Sequence, residues 1–143
     1  MKDPATGVLD TSALILLDRL DASDLPERPR ITTVSLAELS VGPLATDDPS
    51  ERAIRQIRLQ EVEASFDPLP FDAAAARAFG RVAAGLRRAG RKPAARAFDA
   101  LIAATAIANE LALYTCNPRD FDGIDGLHVV AVPHPDHPTQ RLP

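Results

Sequence analysis

Short apolar segments alternate with helical segments along most of this 143-residue chain, and this alternation constrains the fold most. Residues 6–9 form a brief apolar run that ends abruptly in Asp10-Thr11-Ser12, and helical periodicity follows over residues 13–20. Further strands are predicted at residues 30–33, 66–69, 111–115 and 128–132. Strands that alternate with helices favour a parallel sheet. We therefore predict an α/β fold, a three-layer α/β/α sandwich whose central, mostly parallel sheet has four to five strands.

Turn and capping residues divide the remaining segments into helices. We predict helices at residues 34–41, before Gly42-Pro43, and at 51–64, with Ser50 as the N-cap. A long Ala-rich helix is expected from Asp72 to about residue 89, before Gly90, and another at residues 98–109. Pro68 and Pro70 make residues 66–69 the weakest strand, suited only to a sheet edge. No linker is visible, so we expect one domain over residues 1–143, with a core of about 7–132 and a Pro-rich tail at 133–143.

Composition excludes several classes of protein. A single cysteine, Cys116, excludes an internal disulfide and a CxxC metal site, so we expect a reducing, cytoplasmic location and interpret Cys116 as a small buried residue. Residues 1–7 lack the apolar core of a signal peptide, and the longest nearly apolar run, residues 100–108, is far short of the roughly 20 residues that span a bilayer. The net charge of −4 argues against a uniformly basic protein that binds nucleic acid everywhere.

Reactive side chains are predicted at the carboxyl ends of two strands. Asp10 follows the first strand directly, and Asn117 and Asp120 follow the strand at residues 111–115. In open parallel sheets, sites form beyond the carboxyl ends of the strands, where the strand order reverses. If these two strands are neighbours there, their polar groups face each other.

Two further acids, Glu38 and Asp99, interrupt apolar helical stretches. Asp99 shares a helix face with Ile102, Ala103 and Ala106, so its carboxylate points inward. A carboxylate that faces a core is costly unless it is paired, protonated or bound to metal.

Each acid also has a purely structural interpretation. Asp10 or Asp99 could cap a helix, Glu38 could pair with an arginine, and Asp120 could be a turn residue. Together, however, four carboxylates at one sheet edge would repel one another, and Mg²⁺ or Mn²⁺ would relieve that repulsion. A carboxylate-bound metal without a histidine cluster suits phosphodiester chemistry. The side chains that could orient ligands or water beside it are Thr11, Ser12, Thr115 and Asn117.

Four stretches in chain order resemble a PIN domain, and specifically a VapC-type toxin of bacterial toxin–antitoxin pairs. They are Val8-Leu9-Asp10-Thr11-Ser12-Ala13, Ser35-Leu36-Ala37-Glu38-Leu39, Phe98-Asp99-Ala100-Leu101-Ile102-Ala103 and Thr115-Cys116-Asn117-Pro118-Arg119-Asp120-Phe121. The resemblance implies an Mg²⁺- or Mn²⁺-dependent endoribonuclease that cuts tRNA or ribosomal RNA, forms a homodimer and is inhibited by a cognate antitoxin. It also implies a catalytic, metal-binding site made of Asp10, Glu38, Asp99 and Asp120. Relatives place the fourth acid at either of two positions, occupied here by Asn117 and Asp120, so a water-mediated role for Asp120 is an alternative.

A basic segment leads directly into Asp99. Residues 73–98 contain seven basic side chains and no acid, a local charge of +7 in a chain whose remainder sums to −11. We predict that Arg91, Lys92 and Arg96 contact RNA phosphates, although a merely solvated basic face is the alternative. His128, His134 and His137 are interpreted as incidental.

Two other functions remain open. A phosphatase could use Asp10 as its nucleophile, but the acid usually found two residues later is replaced by Ser12. A non-catalytic, receiver-like or degenerate binding module is the second alternative, although all four site acids are present.

Overall fold

A parallel sheet lies at the centre of the computed structural model, which describes residues 4–137 of the chain. Within these residues the sheet has four strands, β1 (Thr6–Leu9), β2 (Arg28–Arg30), β3 (Ala112–Thr115) and β4 (Val129–Ala131). Their order is β2-β1-β3-β4 and every pairing is parallel. Strand order therefore reverses between β1 and β3, which are neighbours. The predicted parallel sheet is confirmed.

The segment at residues 66–69 is not a strand, contrary to the prediction. Its only sheet-like contact in the described residues is an isolated parallel bridge between Leu69 and Thr32, in which the Leu69 amide donates to the Ile31 carbonyl at 2.8 Å. Pro68 and Pro70 on either side have no N–H to donate, so the bridge cannot extend into a ladder.

Five α-helices connect the strands in the described residues. They are α1 (Thr11–Ile15), α2 (Thr33–Val41), α3 (Pro49–Ser65), α4 (Ala73–Arg88) and α5 (Ala97–Ala108). The single helix predicted at residues 13–20 is instead α1 followed by a separate 3₁₀ turn, Leu17–Arg19.

Helix capping agrees with the sequence in α4 and differs in α3. Asp72 caps α4 by accepting from the Ala75 amide at 3.0 Å, and Gly90 follows its end with φ +76°. The predicted cap of α3, Ser50, is wrong, because Asp48 accepts from the Ser50 amide at 3.1 Å. Pro49 occupies the first helical position, where the missing N–H costs nothing. The helix therefore begins two residues before the predicted residue 51.

The core lies on both faces of the sheet. On one face Val8 and Leu113 pack with α4 and α5 through Leu86 and Ile102. On the other face Leu9 packs in a second buried cluster, which includes Leu14, Ile31, Leu39 and Val62. Because neighbouring strand residues point to opposite faces, Val8 and Leu9 supply both layers. The predicted three-layer sandwich is confirmed.

The predicted Pro-rich tail is described only over residues 133–137, and residues 138–143 lie outside the described part of the chain. Asp136 in this segment pairs with Arg19 at 2.5 Å on the surface. Across residues 4–137, the helices are all too short or too polar to span a bilayer.

Candidate active site

Asp10 caps α1 and also lies directly after β1, at the carboxyl end of that strand. Its Oδ1 accepts from the Ala13 amide at 2.9 Å and from the Ser12 hydroxyl at 2.8 Å. Its Oδ2 accepts from the Thr115 hydroxyl at 2.5 Å. Burial of the residue, which is 4% exposed, raises the pKa of the Asp10 carboxyl, and these three hydrogen bonds oppose that rise.

Residues at the end of β3 meet Asp10 because the two strands are neighbours. The Asp10 amide donates to the Tyr114 carbonyl at 3.0 Å, which brings Thr115 alongside. Thr115 is fully buried, and its hydroxyl also accepts from the Asn117 amide at 2.9 Å. The Asn117 side chain is exposed.

Glu38 is oriented by Thr11 from the neighbouring helix. The Thr11 hydroxyl donates to Glu38 Oε1 at 2.7 Å, and its oxygen lies 2.8 Å from Ser35 Oγ. Because Thr11 gives its one proton to Glu38, the Ser35 hydroxyl donates to Thr11. Burial raises the pKa of Glu38, the Thr11 hydrogen bond lowers it, and the nearby Asp10 raises it.

Ser35 is a site residue that the sequence interpretation missed. It is fully buried and lies one helical turn before Glu38 on α2. The sequence signal for Ser35 was its spacing of three residues from Glu38, which places the two side chains on one face of a helix.

Asp99 faces the other acids from the first turn of α5. It does not cap the helix, since Arg96 occupies the N-cap position. The pKa of Asp99 is raised to about 6, first by burial and then by the negative charges of Asp120, Asp10 and Glu38, while Arg96 opposes the shift. The four predicted carboxylates therefore share one electrostatic environment.

Asp120 lies in the 3₁₀ turn Pro118–Phe121 that follows β3. Its Oδ1 accepts from Arg96 Nη1 at 2.7 Å, with both side chains about one-third exposed. Asp120 raises the pKa values of both Asp10 and Asp99. Of the two candidates for the fourth acid position, Asp120 carries the charge that acts on Asp10 and Asp99, whereas Asn117 is neutral and exposed.

The three predicted RNA contacts have different environments. Lys92 is exposed. Arg96 pairs with Asp120, and Arg91 donates to the carbonyls of Arg119 and Asp122. Two of the three cations are thus engaged within the protein.

The remaining candidates are one cysteine and three histidines. Cys116 is buried, as expected, and burial together with the Asp10 charge raises the pKa of its thiol to about 11. His128 is exposed, and the rings of His134 and His137 lie against each other, with centroids 5.1 Å apart, in the last described segment of the chain.

The donor set fits a hard divalent cation in its chemistry and charge. All four acids supply carboxylate oxygens, the ligands that Mg²⁺ and Mn²⁺ prefer, and burial together with the charges of the other three acids raises the pKa of Asp99. Among residues 4–137, no three acidic, histidine or cysteine side chains are grouped closely enough to hold a metal ion. In this arrangement Thr11 donates to Glu38 and Arg96 donates to Asp120.

Comparison with known proteins gives consistent matches over most of the chain. A family model described as the PIN domain matches residues 7–127. Ribonuclease VapC5 of Mycobacterium tuberculosis is 39% identical over 132 residues, which cover 90% of this chain and 95% of the relative. Ribonuclease VapC8 of the same species is 36% identical over 101 residues, covering 70% and 89%. Among solved structures, the toxin–antitoxin complex VapBC-5 of M. tuberculosis matches with a TM-score of 0.79 and 38% identity, covering 90% of this chain and all of that one.

Proposed function

Because the chain belongs to the PIN-domain family, among the VapC-type ribonucleases, we propose that it is the toxin of a toxin–antitoxin pair and hydrolyses RNA phosphodiester bonds at its acidic site. The supporting observation is the convergence of charge from Asp10, Glu38, Asp99 and Asp120 at the carboxyl edge of the sheet. PIN-domain ribonucleases generally depend on a divalent metal. Mg²⁺, with Mn²⁺ as a substitute, is the cation that we propose for this chain.

The four carboxylates would hold the cation, which supplies an activated water and neutralises charge that develops on the phosphodiester. Three donors fix Asp10, so its carboxylate is already oriented before any ligand binds. Thr11 orients the Glu38 carboxylate in the same way, by donating a hydrogen bond to it. Asp99, with its raised pKa, is the acid whose charge depends most on pH near neutrality.

The proposed substrate is structured RNA, either tRNA or ribosomal RNA, and the proposed location is therefore the cytoplasm. Lys92 is exposed at the start of the segment that leads into Asp99, so we propose it as a phosphate contact. Such a contact would set affinity without reading sequence.

Metal-dependent cleavage of total RNA tests the activity. We expect the wild-type protein to cut RNA with Mg²⁺ or Mn²⁺ and to stop when EDTA is added. Asp10→Asn and Asp99→Asn should each lose at least about 100-fold in rate, because each removes an anionic ligand. The matched control is Asp125→Asn, which removes an exposed acid elsewhere. Site variants that cut at the wild-type rate would refute the acidic-site mechanism.

The geometry of Asp10 argues against the phosphatase alternative. Both carboxylate oxygens accept hydrogen bonds, Oδ1 from two donors, and these bonds reduce the nucleophilicity of the carboxylate. Ser12 stands where such a phosphatase usually has its second acid. Its hydroxyl donates to Asp10, so no carboxyl group at this position can protonate a leaving group. The RNA assay separates the two functions when a phosphomonoester is added as a second substrate.

The proposed inhibitor is a cognate antitoxin that docks into a partly apolar groove. The groove, of about 500 Å³, lies between α1 and α3, and Ile54 and Ile57 on its rim are about half exposed. Exposed apolar surface of this kind marks protein-interaction sites. The similar VapBC-5 structure is a toxin–antitoxin complex, so we propose an apolar antitoxin segment as the occupant. We also propose a homodimer, which sedimentation analysis of the purified chain tests.

A further inference from the structure

We propose, on the basis of the function above, that Arg91 is a positioning residue of the acidic site and not an RNA contact. Its guanidinium fixes the turn that presents Asp120. The evidence comes from its hydrogen bonds, from the path of the chain before it and from the packing of the turn.

Arg91 donates to two carbonyls that bracket Asp120 in sequence. Its Nη1 lies 2.6 Å from the Asp122 oxygen and 3.2 Å from the Arg119 oxygen. One cationic nitrogen thereby contacts the 3₁₀ turn itself, at Arg119, and the residue that follows it, Asp122. Charge-assisted hydrogen bonds are stronger than neutral ones, so this contact restrains the backbone on which Asp120 stands.

The end of α4 directs Arg91 toward this turn. Gly90 adopts φ +76°, a left-handed conformation that glycine tolerates best. The Gly90 amide donates to the Arg87 carbonyl at 3.0 Å, and the Arg91 amide donates to the Leu86 carbonyl at 2.8 Å. This is a Schellman ending, which fixes the direction in which the chain leaves the helix.

Close packing shows that the turn docks on the same helix end. A Cβ added at Gly85 would lie 3.2 Å from the Gly123 carbonyl, and one added at Gly123 would lie 3.0 Å from Ala89 Cβ. Phe121 and Ile124 on either side of Gly123 are buried in the core that contains Leu86. The Arg91 hydrogen bonds thus complete an interface that small and apolar residues already form.

Arg96 holds the same turn through its side chain. It donates to Asp120 Oδ1 at 2.7 Å, while Arg91 restrains the backbone around that residue. The two carbonyls engage Nη1 of the Arg91 guanidinium, so any phosphate contact would have to use Nε or Nη2, the nitrogens that do not hold the turn. Lys92, the next residue, is exposed.

Amide hydrogen exchange tests the restraint without any metal or RNA. The Asp120 amide donates to the Asn117 carbonyl, and the Asp122 amide donates to the Arg119 carbonyl. In Arg91→Ala both amides should exchange about tenfold faster, because the turn opens more often. Arg87→Ala is the matched control, since it removes an exposed arginine at the same helix end. Unchanged exchange in Arg91→Ala would overturn the proposal.

Metal and RNA binding separate positioning from phosphate contact. Arg91→Ala should bind Mn²⁺ about tenfold more weakly, as expected when support for a ligand is lost, and should keep the wild-type salt dependence of RNA binding. Lys92→Ala should keep the Mn²⁺ affinity and lower the salt slope by about one. A lower slope with unchanged Mn²⁺ affinity in Arg91→Ala would identify a phosphate contact and refute positioning.

Two further outcomes keep the result interpretable. If Arg91→Ala unfolds, Arg91→Met keeps the apolar stem but removes every donor and should still exchange faster than wild type; exchange equal to that of wild type overturns the proposal. If the wild-type protein neither binds Mn²⁺ nor cuts RNA, the proposed function fails, while hydrogen exchange still decides the role of Arg91.

Discussion

The Thr115 hydroxyl donates a 2.5 Å hydrogen bond to Asp10 Oδ2, and this contact joins the ends of the two central strands at the acidic site. Neither residue is free to turn away, since Asp10 also accepts from α1 and Thr115 is fully buried. The carboxylate is therefore oriented by the sheet itself.

Thr115→Val should weaken both the fold and the site. The substitution keeps the side-chain shape but removes the donor to a buried carboxylate, which costs about 1–3 kcal/mol of unfolding free energy. It should also raise the pKa of Asp10, because the Thr115 hydrogen bond lowers that pKa. Urea denaturation and Mn²⁺ titration measure the two effects.

A second buried threonine provides the control for Thr115. Thr105 is fully buried in α5 and donates to the Leu101 carbonyl at 2.8 Å. Thr105→Val should alter stability and leave Mn²⁺ affinity unchanged. Equal losses of Mn²⁺ affinity in the two variants would show that Thr115 acts only through general stability.

Asp99→Asn should stabilise the metal-free protein at neutral pH. The pKa of Asp99 is about 6 in the fold against 3.8 ordinarily, so the folded state binds more protons between these values. Stability therefore falls as pH rises from about 4 to about 6 and stays low above. Asparagine does not ionise, so the variant avoids this loss of stability. In EDTA its melting temperature should exceed that of the wild type near pH 8, and the difference should disappear near pH 4. Lower stability of Asp99→Asn near pH 8 would contradict the cost that burial and the neighbouring charges impose on the Asp99 carboxylate.

The sequence signals that point to the candidate acidic site are local. Asp10 directly follows an apolar strand, and Asp99 shares a helical face with buried Ile102 and Ala103. Strand alternation also led to the correct sheet, and the resemblance to a PIN domain is confirmed by the family match over residues 7–127.

Long-range polar contacts could not be predicted in the same way. Arg91 and Arg96 reach partners 24 to 31 residues away in the chain, and a flexible arginine side chain leaves no periodic signal for such a partner. The strand predicted at residues 66–69 was wrong for a different reason. The apolar composition favoured a strand, but two prolines prevented the hydrogen-bond ladder.

Metal affinity should depend on pH through Asp99. Protonation removes an anionic ligand, so Mn²⁺ binding should weaken as pH falls below about 6, by up to about tenfold per pH unit. Calorimetric titration between about pH 5 and pH 8 measures this slope. In Asp99→Asn the dependence near pH 6 should flatten, and a variant with the wild-type slope would assign the titration to another acid.

Ile57→Asp should prevent inhibition by the antitoxin without affecting RNA cleavage. The side chain is 54% exposed on the rim of the α1–α3 groove, so a charge there costs the fold little but opposes an apolar partner segment. We expect antitoxin affinity to fall by roughly thirtyfold, the loss of about 2 kcal/mol typical of an interface hot spot. Gln56→Asp is the matched control, because it adds the same charge at the neighbouring exposed position outside the groove lining. Binding of the antitoxin to Ile57→Asp with wild-type affinity would exclude this groove as the docking site.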